Sequence, residues 1–323
     1  MRRREFLGLA GAIVAAAGWP LRAIAQVQNW PERPVKFIIP YAPGGGSDLI
    51  GRPWAEKLSQ AFGQQFIVEN RAGAGGMIGV EAASKAAGDG YTFLMSPNAT
   101  LTVLPHMRKT PYDPNSFMPI ARIGDFVTGF SLHPAVGPKT FKDMVAHAKA
   151  NPGKLTYGSA GLGTATHLRL EMLKYRAGID ILHVPYRGSA DALNDLLPNT
   201  VQMMNEINNI PHVKAGKLNL LNINHSSRHP DFPDIPTLTE LGMPNSDVSI
   251  WYAIMGPAGT PKEIVEKLNA KCVEIAKTGD MQARLRAISA ALPVQTPAEI
   301  VAYRDADSTR NAEVIKAANI KLE

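Results

Sequence analysis

Short apolar runs alternate with segments of helical spacing along most of this chain. Val35-Lys36-Phe37-Ile38-Ile39 predicts a strand that ends in 40–46, and 48–62 follows with apolar positions at helical spacing. Residues 66–68 predict a second strand, 78–87 a helix and 92–95 a third strand. The rhythm changes near 120–132, where an extended stretch, 123–132, replaces the next strand–helix unit and predicts a crossing into a second lobe. Alternation then restarts: helix 141–150, strand 155–157, turn 158–164, helix 165–176, strand 181–184, helix 190–197, strand 201–204, helix 210–215 and strand 218–223. A connector rich in Pro, Asp and Gly, 231–244, leads to an apolar strand, 249–255, that returns to the first lobe, and helices at 262–275, 281–290 and 298–317 finish the chain. The expected fold is α/β with two lobes, 26–122 plus 246–323 and 123–245. Each is a mostly parallel sheet flanked by helices, with a ligand cleft between them.

The N-terminus reads as a leader. Arg2, Arg3 and Arg4 precede an apolar run from Phe6 to Trp19, and Ala23-Ile24-Ala25 supplies a small-x-small cleavage pattern, so residues 1–25 are expected to be a signal peptide. Arg3-Arg4-Glu5-Phe6-Leu7 is twin-arginine-like, and the run is shorter than the ~20 residues of a membrane span. Its removal leaves 298 of 323 residues and, because it carries four Arg and one Glu, lowers the formal charge from +6 to +3. Without a Lys/Arg block or a basic helix interleaved with aromatics, nucleic acid is not an expected partner. The single cysteine, Cys272, allows no internal disulfide and reads as a small core residue.

Candidate chemistry concentrates in two glycine-rich turns. Pro43-Gly44-Gly45-Gly46-Ser47-Asp48 ends a strand and opens a helix with Ser or Asp at the cap, and Gly158-Ser159-Ala160-Gly161-Leu162-Gly163-Thr164 does the same in the second lobe. The first N–H groups of a helix lack intrahelical partners and carry the positive end of its dipole, so each turn can collect an anion. Ser159, Thr164 and Thr166 add hydroxyls. The alternative is that both turns merely join strand to helix. Neither is an enzyme motif: no Lys follows Gly46, Gly158-x-x-Gly161-x-Gly163 reverses the dinucleotide spacing, and Gly158-Ser159 lacks the intervening residue of a hydrolase elbow.

The eight histidines do not group as metal ligands, since Pro230, Pro233 and Pro236 prevent a helix after His225 and His229. His167 follows the second turn and either caps, packs or faces the cleft. Glu206 lies at the C-terminal end of a strand, where α/β clefts open, and either receives an amino group or water or is a solvated loop acid.

These strings together resemble the tripartite tricarboxylate transporter receptor family, the Bug-type periplasmic binding proteins. Trp30-Pro31-Glu32-Arg33-Pro34-Val35 with the first turn, Val68-Glu69-Asn70-Arg71-Ala72-Gly73-Ala74-Gly75-Gly76, and Asp89-Gly90-Tyr91-Thr92 resemble its first-lobe signatures. Asn151-Pro152-Gly153-Lys154-Leu155, Tyr157-Gly158-Ser159-Ala160-Gly161, Thr166-His167-Leu168, His183-Val184-Pro185-Tyr186-Arg187-Gly188 and Pro257-Ala258-Gly259-Thr260-Pro261 resemble the rest. The resemblance implies a periplasmic-binding-protein-like fold that clamps a carboxylate between the turns, partly through water, with contacts at Gly45, Gly46, Ser47, Ser159, Ala160, Gly161, Thr164 and Thr166. It extends the pocket to 96–100, including Asn98 and Thr100. Where the family has a small-hydroxyl-glycine string and Phe-Asp, this chain has Pro97-Asn98-Ala99 and Asn205-Glu206, so Glu206 joins the expected ligand contacts and ligand identity does not transfer. The expectation is a monomeric periplasmic solute-binding protein without cofactor or metal. Its ligand would be an organic acid, amino acid or aromatic acid, and its partners the membrane subunits of a tripartite transporter or a sensor. The competing function is a periplasmic enzyme acting on a small acid through Ser47, Ser159 or His167, for which no base-and-orienter set is evident.

Overall fold

The computed structural model describes residues 29–225, 227–244, 246, 250–317 and 319–320; the expected signal peptide, 1–25, lies outside them. Two sheets carry the chain. The first has six strands in the order β11-β4-β10-β3-β1-β2: β1 Val35–Ile39, β2 Phe66–Asn70, β3 Thr92–Pro97, β4 Met118–Phe126, β10 Trp251–Gly256 and β11 Ala290–Ala291. The second has five in the order β7-β6-β8-β5-β9: β5 Ser131–Leu132, β6 Thr156–Ser159, β7 Leu182–Pro185, β8 Met203–Met204 and β9 Asn219–Leu220.

Strand direction records the route of the chain. β1 pairs parallel with β2 and β3, whereas β10 is antiparallel to both β3 and β4, so β1–β4 share one direction and β10 opposes them. A segment returning from the second lobe enters at the end of the sheet where β4 left it, and can only run backwards. The extended stretch expected over 123–132 divides accordingly: β4 continues in the first sheet to Phe126 and β5 begins the second at Ser131. The passage between sheets is therefore 127–130, and the first sheet runs to Phe126, four residues beyond the expected lobe boundary at 122. In the second sheet β6 pairs parallel with β7 and β8, and only β5 is reversed.

Alternation along β1 explains the layering of the first lobe. Val35, Phe37 and Ile39 point to a core built with Trp30, Trp54, Phe93 and Leu268, under the helices Gly46–Phe62 and Lys262–Ala276. Ile38 points the other way, to Val80, Leu94, Trp251 and Ile300 under Met77–Ser84 and Pro297–Ala317. The last helix is tied down by a buried carboxylate. Asp307 accepts hydrogen bonds from Asn98 Nδ2 (2.7 Å), Thr102 Oγ1 (2.8 Å) and Trp251 Nε1 (3.1 Å). The second lobe packs Phe130, Leu132, Tyr157, Leu170 and Met203 beneath the helices Phe141–Ala150 and Ala165–Ala177. Cys272 is buried in the first core. Among the described residues no helix is long and apolar enough to cross a membrane.

Candidate functional site

The first turn is built differently from its expected cap. Gly45 is the N-cap of the 17-residue helix and offers no side-chain bond. Asp48 instead reaches back: its Oδ2 accepts from Gly44 N–H (2.9 Å) and Arg52 Nε (2.9 Å), and its Oδ1 from Asn70 Nδ2 (2.8 Å), which stiffens the loop from behind. Gly46 N–H donates across the cleft to Ser189 Oγ (3.2 Å), so the lobes are closed on each other. Ser47 N–H has no protein acceptor among the described residues. A Cβ on Gly46 would lie 2.9 Å from Phe126 Cε2, 3.1 Å from Ile207 Cγ2 and 3.2 Å from the Tyr252 hydroxyl, which leaves only glycine room here.

The second turn faces the first. Thr164 caps the 13-residue helix, its Oγ1 accepting from His167 N–H (3.3 Å) and donating to the Gly161 carbonyl (2.7 Å). The N–H groups of Ala165 and Thr166 have no protein acceptor among the described residues. Thr166 Oγ1 accepts from Ala160 N–H (3.2 Å). Two helix N-termini thus converge from opposite lobes on one cavity.

Seven of the eleven expected contacts line that cavity: Gly45, Gly46, Ser47, Ala160, Thr164, Thr166 and Glu206. Four do not, and each is committed elsewhere. Asn98 turns its amide to Asp307 and accepts from Trp251 N–H (3.3 Å), leaving Pro97 and Ala99 to form the wall. Thr100 is bonded to Ser96 Oγ (2.9 Å) and the Pro97 carbonyl (3.1 Å). Gly161, at φ +125°, supplies its carbonyl to Thr164. Ser159 is fully buried against His183 Nε2 (2.6 Å), and His183 stacks on His167 with ring centroids 4.4 Å apart. Burial lowers both histidines to about 4, so they pack as neutral rings behind the turn, and the serine–histidine contact has no access to the cavity. His225 and His229 do not converge: their Nδ1 atoms engage Ser227 and the Asp231 N–H respectively.

The sequence reading missed Tyr41, Ser189, Ile250 and Tyr252, which also line the site. Tyr41 lies two residues after the end of β1 and Ser189 opens the helix Ser189–Leu196, positions that the strand-end and helix-start rules could have flagged. Tyr252, hydrogen-bonded to Ser47, arrives on the returning strand β10, and nothing local marks it.

Glu206, after β8, is the one carboxyl lining the cavity among the described residues and is 5% exposed. Burial raises it to about 7, against the opposing influence of Arg169 and of hydrogen bonds from the Thr166 hydroxyl and the Ile207 N–H. Its neighbour Asn205 does not face the cavity. Asn205 Oδ1 accepts from Arg169 (2.8 Å) and Thr128 (2.9 Å), and Nδ2 donates to Asn224 (3.0 Å), a buried network at the passage between lobes.

Two lobes, each contributing a helix N-terminus to the cavity between them, define a two-lobed solute-binding protein. The chain belongs to the tripartite tricarboxylate transporter family of receptors, whose profile matches residues 50–319. It is 34% identical to Protein BugT of Bordetella pertussis over 330 aligned positions that cover all of both chains. The structure of the periplasmic binding protein BugD superposes with a TM-score of 0.87 at 31% identity, covering 91% of this chain and 100% of that one. An R. palustris protein solved with adipate gives 0.87 at 30% identity, covering 90% and 99%. The chain is a solute-binding receptor of this family and not an enzyme.

Proposed function

We propose that this receptor captures a small carboxylate in the inter-lobe cavity and presents it to the membrane subunits of a tripartite transporter, after export to the periplasm and removal of residues 1–25. The carrying observation is the pair of opposed helix N-termini whose N–H groups at Ser47, Ala165 and Thr166 have no protein acceptor among the described residues. Each helix dipole favours an anion by about 0.3–1 kcal/mol when exposed and by more when partly buried. Thr164 and Thr166 line the site with their hydroxyl protons committed to the Gly161 carbonyl and to Glu206, so a carboxylate is held by the backbone N–H groups without a fixed cation. The ligand touches both lobes and therefore stabilises the closed form. The adipate-bound relative supports this ligand class.

The test is isothermal titration of the mature protein with small mono- and dicarboxylates, with product analysis of the bound acid. Gly46→Val is expected to weaken binding more than about 100-fold, because overpacking by 1–3 kcal/mol adds to loss of the anion position. Unchanged affinity in that variant, or turnover of the bound acid, refutes the reading.

A further inference from the structure

A clamp of N–H groups and hydroxyls has no need of an acid, yet Glu206 lines the cavity. The donors beside it among the described residues are the Thr166 hydroxyl and the Ile207 N–H, while an ionised carboxylate accepts about four hydrogen bonds. The other groups that face it are engaged. Arg169 donates to Thr128 Oγ1 and Asn205 Oδ1, both at 2.8 Å, and acts on Glu206 as a nearby positive charge. The Tyr157 hydroxyl donates to the Thr166 carbonyl (3.0 Å), the Tyr41 hydroxyl to the Gly75 carbonyl (3.1 Å), and Tyr252 is bonded to Ser47. What remains of the Glu206 acceptor capacity faces the ligand. A second carboxylate placed there is accommodated only while Glu206 keeps its proton, whereas an N–H group completes the shell of the ionised acid.

We infer that Glu206 determines specificity in this site and selects small carboxylates that carry an amine or amide nitrogen over plain mono- and dicarboxylates. This inference rests on the carboxylate clamp proposed above. A single methylene separates Glu206 from the acid of the family pattern, and it is the only member of the divergent Pro97-Asn98-Ala99 and Asn205-Glu206 segments whose polar group lines the cavity.

The experiment is titration calorimetry of the mature protein with matched acids: propionate, alanine, β-alanine and malonate; succinate, adipate and asparagine; benzoate and its amino and carboxy derivatives. The nitrogen-bearing members are expected to bind about 10- to 100-fold more tightly than their matched plain acids, the range of a hydrogen bond to a charged group. Glu206→Gln is expected to erase that preference and Glu206→Asp to keep it. Titration of the unmodified protein at pH 7 in phosphate and in Tris needs no variant: a nitrogen donor beside Glu206 releases protons on binding, while a second carboxylate takes them up. Tighter dicarboxylate binding with proton uptake, or an unaltered ranking in Glu206→Gln, overturns the inference and leaves the clamp standing. Binding of none of these acids sinks the clamp and the inference with it.

Discussion

The sharpest test of closure is Gly75→Ala. Gly75 sits at φ +66° in the loop before Met77–Ser84, on the rim of the first lobe, and a Cβ there would lie 2.3 Å from the Leu162 carbonyl of the second lobe. Ordinary contact begins near 3.4 Å, so the rim must part by about 1 Å in the closed form. In an open form the Leu162 carbonyl withdraws and the clash disappears. Overpacking of about 1–3 kcal/mol therefore falls on the closed, ligand-holding state alone and weakens Kd by about 5- to 150-fold. The left-handed backbone adds about 1–2 kcal/mol of strain, but to open and closed states alike, so it lowers Tm and leaves Kd unchanged. Gly63 separates the two effects. It has φ +68° at the end of helix Gly46–Phe62, and its added Cβ meets nothing within 4 Å. Gly63→Ala should lower the Tm of the ligand-free protein by about as much as Gly75→Ala, by some 2–8 °C, without changing affinity. Calorimetric titration of both variants with the tightest-binding acid decides the matter. Equal affinity in Gly75→Ala and the unmodified protein, or equal weakening in both variants, refutes closure at this contact.

Asp307→Ala strands three buried donors and should cost about 3–5 kcal/mol in urea unfolding, while Glu266→Ala, in an exposed pair with Lys262, should cost less than about 0.5 kcal/mol. A loss at Asp307 below about 1 kcal/mol would mean that water replaces the carboxylate. The raised acid in the cavity also makes stability depend on pH. Glu206 binds its proton more tightly folded than unfolded, so its contribution is complete below the ordinary carboxyl range and is lost as pH rises through about 7. Relative to Glu206→Gln, the ligand-free protein should lose about 2–4 kcal/mol between pH 4 and 8. A pH-independent difference between the two would place Glu206 in contact with water.

Much of the architecture is legible in the residues alone. The helix expected over 141–150 is observed as Phe141–Ala150, where Thr140 caps it and apolar Phe141, Met144 and Ala148 share its buried face. Both anion-ready turns are visible because strand end, glycine and helix start are consecutive in the chain. Harder to see are short paired segments such as β11, two residues whose strand identity comes entirely from pairing with β4. Asn98 was misplaced for a similar reason: its amide is claimed by Asp307, 209 positions later.

Local chemistry by itself determines where this protein has helix starts with free N–H groups, because capping and backbone conformation depend on a few consecutive residues. Only the tertiary structure decides that the two starts face each other and that Ser189 closes one of them across the cleft. It also decides that Tyr252 and Glu206 share their cavity. Those facts depend on β10 running backwards through the first sheet and on the passage at 127–130. Burial and distance between remote residues arise from packing, and no local pattern encodes them.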